Sequence, residues 1–260
     1  MRITLRNKNN KDYWENRWSS IDVDDAMTNQ NEYPLKFTIN AIKYSDKKQK
    51  ILEAGCGPGR IVKYLFNLGY DVTGIDFIET AIDKIKKNNP LIKVSTQSIL
   101  KTNFNDNEFD TILAFGLYHN FEIQNVKLSL NETLRILKKG GTLCFSFRLD
   151  NIQNFILDKL KEKKNISHKL FHKLNLKEKE ILNILKNYNL RVIEKEFITN
   201  MPILFHFKIF REIKQKVFDE HLGRTEGYKL NIIGRILNWI FLNFFKKSYS
   251  NIIVITCKKI

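Results

Sequence analysis

The residues best placed to do chemistry lie in the stretch ILEAGCGPGR, positions 51–60. An apolar run ends at Glu53, a turn carrying Gly55, Gly57 and Gly59 follows, and IVKYLFNLGY then has helical spacing. Strand, glycine loop and helix together are the pattern of a phosphate- or nucleoside-binding corner of an α/β sheet. Glycine lets such a loop turn tightly and approach a ligand with no Cβ in between. The spacing is G-x-G-x-G, ending in Arg60, whereas a dinucleotide fingerprint requires G-x-G-x-x-G and a phosphate loop requires Gly-Lys-Ser/Thr. Glu53, two residues before the first glycine, suits a cationic ligand group better than a pyrophosphate. Cys56 is read as a small residue that fits the loop, not as a nucleophile.

Three further landmarks follow in order. The segment YDVTGID, 70–76, reads as a second strand ending in an acid. Asp76 sits about 20 residues beyond the loop, where a carboxylate accepts hydrogen bonds from ribose hydroxyls; its ordinary alternative is an N-cap for the next helix. EFDTILAFG, 108–116, reads as a buried strand running into LYHNF. LRILKKGGTLCFSF, 134–147, reads as a helix end, a Gly-Gly turn and another buried strand. With these four landmarks, residues 50–147 resemble a class I S-adenosylmethionine-dependent methyltransferase, of the broad small-molecule group that includes quinone-biosynthesis enzymes. S-adenosylmethionine carries an ammonium and a sulfonium and no phosphate, in keeping with Glu53.

The resemblance implies an α/β fold: a Rossmann-like, mainly parallel sheet with an antiparallel last strand, helices on both faces, and a helical cap. It implies that Gly55 and Glu53 meet the methionine part of the cofactor, that Asp76 holds the ribose, and that Phe77 or Ile78 packs on the adenine. Many relatives carry Gly-Asp after the third strand, where this chain has Gln97-Ser98; Ser98 and the Ile99 backbone N–H are then the adenine edge. Phe115, after the fourth strand, borders the crevice at which the sheet order reverses. Tyr118 and His119 are expected to face the reaction zone. A neutral imidazole accepts a proton near pH 7, so His119 is the candidate base, with a structural hydrogen bond as its alternative. Arg148 is a candidate for an anionic substrate group or a surface salt bridge. His206, Arg211, His221 and Arg224 could line a pocket, although ordinary surface positions account for them better.

Around these residues the chain reads as a single domain of 260 residues. Residues 1–45 form an N-terminal helical segment whose first ten residues look flexible, with Tyr13, Trp14 and Trp18 either folding over the cofactor or packing on the domain. Residues 50–200 and 250–258 form the core, and 201–248 a helical insertion. Within the insertion, 232–245 has an apolar helical face, read as a cap helix buried beside the acceptor pocket, with peripheral membrane contact as the second reading. The formal net charge of +16 invites an anionic partner, but the lysines are scattered, which argues against nucleic acid; the resemblance implies a small-molecule substrate, and the many aromatics of the insertion suit a lipophilic one. Two alternatives stay open: an RNA methyltransferase, and a non-catalytic partner subunit with the same fold. The three cysteines have no metal or disulfide spacing, so no metal is assigned. The N-terminus lacks an apolar core of leader length, which points to the cytoplasm.

Overall fold

A computed structural model describes residues 1–20, 26–43, 47–161, 169–212 and 228–260. Its centre is a seven-stranded sheet built from β2 (Lys50–Ala54), β3 (Asp71–Asp76), β4 (Lys93–Thr96), β5 (Phe109–Ala114), β6 (Leu137–Arg148), β8 (Leu190–Ile198) and β9 (Ile252–Lys259). The order across the sheet is β4-β3-β2-β5-β6-β9-β8. β9 is antiparallel to both of its neighbours, and the remaining pairings are parallel. The chain builds outward from β2 to β4, then returns to the other side of β2 with β5. The order therefore reverses between β2 and β5, and a crevice opens beyond their C-terminal ends.

The central strands are apolar on both faces, as a sheet covered by helices on each side requires. Ile51 and Leu52 are both fully buried, yet Ile51 belongs to the core beneath one face and Leu52 to the core beneath the other. This is the period-two alternation of a strand. The Ile51 side is shared by α2 (Leu35–Ile42), α3 (Arg60–Asn67) and α4 (Glu79–Asn88), through Phe37, Val62 and Ile82. The Leu52 side is covered by α5 (Ile123–Ile136) and α7 (Glu178–Leu185), through Leu130 and Ile181.

The N-terminus differs from its sequence reading. Residues expected to be flexible form β1 (Arg2–Arg6), which pairs antiparallel with β7 (Leu170–Asn175), a strand the sequence pattern did not reveal. The ribbon is fastened by ions. Arg2 reaches Asp150 at 2.9 Å and Asp158 at 2.6 Å, and Arg148, at the end of β6, meets Asp158 at 2.8 Å. The helix α1 (Asn10–Ser20) then crosses to α4. The helix α6 (Ile152–Lys161) follows β6.

Within the insertion, Ile203–His206 and Lys208–Phe210 are 3-10 turns, α8 spans Ile232–Phe244, and α9 spans Lys246–Tyr249. The helical spacing of 232–245 was read correctly, but not its burial: Gly234 is the one buried residue of α8. The expectation of a buried cap helix is thus corrected.

Candidate functional site

The glycine loop joins β2 to α3, and its backbone explains its composition. Gly55, Gly57 and Gly59 have φ of 72°, 50° and 74°, a region in which a Cβ is strained. Space forbids larger residues as well. A Cβ on Gly57 would lie 2.8 Å from Cζ2 of Trp18, and one on Gly59 2.6 Å from Cδ1 of Ile85. Trp18 of α1 therefore lies directly over the loop, stacked on Trp14 at 5.3 Å.

Asp76 ends β3 and faces this loop. Its Oδ2 accepts from the Gly57 N–H at 2.9 Å and its Oδ1 from the Ile78 N–H at 3.0 Å. Burial raises its pKa, opposed by the N–H groups of Ile78, Gly57 and Phe77. Glu53 is buried too, and its Oε2 accepts from the Val62 N–H at 3.1 Å, in the first turn of α3. Its carboxyl is pushed well above the usual range, chiefly by burial; the Val62 N–H opposes this and the Asp76 charge adds to it. A cation bound at this corner would offset the burial and the mutual repulsion that oppose ionisation of the two carboxyls.

A cavity of about 430 Å³ opens beyond the C-terminal ends of β2 to β5. Gly55, Asp76, Phe77, Ser98 and Ile99 line it, so five of the residues singled out in the sequence converge on one space. Phe77 is partly exposed there. Ser98 Oγ accepts from the Leu100 N–H at 3.3 Å, which closes a tight turn after β4. Glu53, Cys56, Gly57, Gly59 and Phe115 are not among the lining residues. Phe115 packs edge-on against Tyr33 at 5.7 Å. The Tyr33 hydroxyl is 2.9 Å from Ser146 Oγ, which also accepts from the Gly116 N–H at 2.8 Å.

The turn Tyr118–Asn120 divides sharply. Leu117 and Asn120 line the cavity, whereas Tyr118 is fully buried, with its hydroxyl 3.0 Å from Thr133 Oγ1. Burial raises its pKa. Placing Tyr118 in the reaction zone is therefore corrected: its ring is core, packed on Phe145. His119 is also buried and does not line the cavity, so its expected place facing the reaction zone is corrected as well; its Nδ1 has no partner among the described residues. Burial, then the charges of Lys173 and Arg148 and the neighbouring His172, hold its pKa well below 6.5, so the ring is neutral. Arg148 is occupied by Asp158 and Asn175 and serves as a structural ion pair. Arg211 sits over the Phe205 ring, His206 is exposed, and His221 and Arg224 lie outside the described residues.

Several lining residues escaped sequence reasoning. Asn9, Asn10, Leu170 and Phe171 form a roof where the β1–β7 ribbon meets α1, and Asn10 Nδ2 donates to the Asn120 carbonyl at 2.5 Å. Phe121, Glu122 and Asn125 close the side toward α5. No local motif marks these positions; they reach the cavity through the pairing of strands far apart in sequence.

Known proteins are similar to this chain in sequence and in fold. The family model described as "Methyltransferase domain" matches residues 52–145. An uncharacterized methyltransferase of Schizosaccharomyces pombe is 32% identical over 85 residues, 31% of this chain and 59% of that protein. The chain thus spans about three-fifths of the first curated relatives it matches. An uncharacterized protein of Methanocaldococcus jannaschii is 31% identical over 176 residues, 65% of this chain and 78% of the relative. Among solved structures, the magnesium protoporphyrin IX methyltransferase of Synechocystis, with bound S-adenosylhomocysteine, superposes with a TM-score of 0.58 at 12% identity, covering 96% of this chain and 97% of that one. The fold and the glycine-loop corner define a Rossmann-like methyltransferase domain. Residues 52–145 are a methyltransferase domain, and the fold around them is that of the class I S-adenosylmethionine-dependent methyltransferases.

Proposed function

We propose that this chain transfers a methyl group from S-adenosylmethionine to an oxygen, nitrogen or carbon nucleophile of a small, lipophilic molecule. The observation that carries the cofactor assignment is Asp76, a buried strand-end carboxylate held by two loop N–H groups while facing a cavity of about 430 Å³. A ribose there would donate to oxygens already oriented for it. Phe77 and Ile99 would sandwich an apolar base, and Ser98 would offer its edge a hydroxyl. Glu53, behind the glycine loop, would ionise when the ammonium binds, the cation lowering the carboxyl that burial raises. Trp18, over Gly57, would shield that end from water.

The cofactor supplies an electrophilic methyl on a good leaving group, so alignment and desolvation carry much of the rate. This chain's contribution is to fix the loop, roof the cavity with the β1–β7 ribbon and exclude water. His119 is the proposed base when the acceptor carries a proton: its Nδ1 is unpartnered among the described residues, and because its ring lies behind the cavity wall and is a weak base, the role requires the acceptor to reach past Leu117 and Asn120. Calorimetry tests the cofactor assignment. S-adenosylhomocysteine binds and NAD does not; tighter NAD binding overturns it. An RNA affinity that falls steeply with salt would replace the small acceptor with RNA.

A further inference from the structure

The helix α8 is apolar on more than the side it packs inward, and it leaves large apolar side chains exposed. Its inner side mixes small and polar residues with Leu237 and Phe241, whose ring packs on Tyr249 at 5.0 Å. Gly234 packs on the Phe210 carbonyl, and Asn238 accepts from the Tyr249 hydroxyl at 2.7 Å. Asn231 caps the helix by accepting from the Gly234 N–H at 2.9 Å and ties it to the Ile209 carbonyl at 2.7 Å. Its outer side is apolar: Ile233 is 58% exposed, Ile236 55%, Trp239 61% and Phe244 69%, with Phe207 and Ile209 (70%) of the adjoining turns alongside. The polar contacts hold the helix in place while large apolar side chains point outward. A contiguous exposed apolar surface of this kind marks an interaction site.

Charge selects the partner. Residues 203–212 and 228–250 contain Lys208, Arg211, Lys229, Arg235, Lys246 and Lys247, against the single acid Glu212. A second copy of the chain on the same face would bring two such cationic sets together, as two-fold pairing demands, and like charges would oppose it. An anionic bilayer matches both features: headgroups take the lysines and arginines, while tryptophan and phenylalanine enter the acyl boundary. No described helix is long and apolar enough to cross a membrane, so the mode is interfacial.

The position fits as well. The insertion leaves the sheet after Ile198 and returns at Ile252, level with Arg148 at the end of β6. Because β8 runs parallel to β6, this is the edge of the sheet that bears the glycine loop and Asp76. We infer that α8 with the turns at Phe207 and Ile209 is an interfacial surface that docks the protein on anionic lipid. This goes beyond methyl transfer and does not depend on it.

The test is flotation of the full chain with phosphatidylcholine vesicles, with and without phosphatidylglycerol, at low and high salt. Binding is expected on the anionic vesicles alone, weakening as salt screens the charges. The double variant Ile236→Glu, Trp239→Glu should bind at least roughly tenfold more weakly, with an unchanged melting temperature. If that variant is unstable, quenching of Trp239 fluorescence by brominated lipid, with Trp239→Phe as the control, provides the readout in a nearly native chain. Four results overturn the inference: no binding to anionic vesicles at low salt, equal binding to neutral ones, binding or quenching indifferent to residue 239, or a lipid-free dimer that the double variant dissolves.

Discussion

Replacing Asp76 separates its two tasks, holding the loop and holding the ribose. In the folded protein its carboxylate accepts one N–H from Gly57 and one from Ile78. Asp76→Asn keeps one acceptor oxygen, so one of these buried donors loses its partner. An unsatisfied buried donor costs about 1–3 kcal/mol, but the change also removes a carboxylate whose ionisation burial opposes, so the net stability loss should sit at the low end, about 1 kcal/mol. Hydrogen bonds to a charged group are worth about 1.5–3 kcal/mol, and every 1.4 kcal/mol is about tenfold in affinity. Losing the charge opposite the ribose should therefore weaken S-adenosylhomocysteine binding roughly 10- to 100-fold. Asp76→Ala should weaken it at least as much, by about 1–3 kcal/mol or more, and should melt lower than the Asn variant because both donors are stranded. Calorimetry gives the affinities and thermal melts the stabilities. A folded Asp76→Asn protein with native affinity would refute the ribose assignment, whatever its melting temperature.

Other consequences follow from the same corner. The Glu53 carboxyl is raised on folding above its ordinary value of 4.5, so the folded state holds a proton the unfolded chain releases; stability should fall as pH rises from 4.5 through the raised value, and melts should show that fall reduced in Glu53→Gln. His119 has the opposite sign: with its folded pKa below 6.5, it contributes a loss of stability as pH falls through 6.5, which His119→Gln should lessen in acid melts. With a hydroxyl acceptor the same variant should turn over about 10²–10⁴-fold more slowly while binding cofactor normally; a normal rate leaves it a structural role. Tyr118→Phe should keep normal turnover and lose about 1 kcal/mol of stability, the worth of its Thr133 hydrogen bond; a large drop in kcat would return Tyr118 to the site. Gly57→Ala should displace Trp18 and impair cofactor binding, and Gly57→Ala with Trp18→Ala should recover part of it; calorimetry that finds no recovery would show backbone strain alone to be the cause.

The sequence by itself determined the sheet and the cofactor corner. Near-continuous apolar runs mark β2, β5 and β6, because strands buried on both faces admit few polar residues, and the strand β3 is marked by the acid that ends it. The glycines at 55, 57 and 59 and the acid at 76 are legible because local backbone geometry imposes them: a tight turn needs positive φ, and a strand end presents its last side chain to the crevice. The alternation of 190–199 and the apolar run 251–256 likewise announce the two strands that complete the sheet. Tertiary structure decided the rest. Tyr118 and Asn120 are two residues apart on one short turn, and only packing sends the first into the core and the second into the cavity. The roof over that cavity comes from β1 pairing with β7, a contact between residues some 170 positions apart, Arg2 with Asn175, and Asp158 and Arg148 become structural only once that ribbon is in place. The helix 232–244 shows the same limit from the other side. Its periodicity is visible in the chain, but which face turns inward depends on Asn231, Asn238 and Gly234 finding partners in other elements, and those partners leave the apolar face outside.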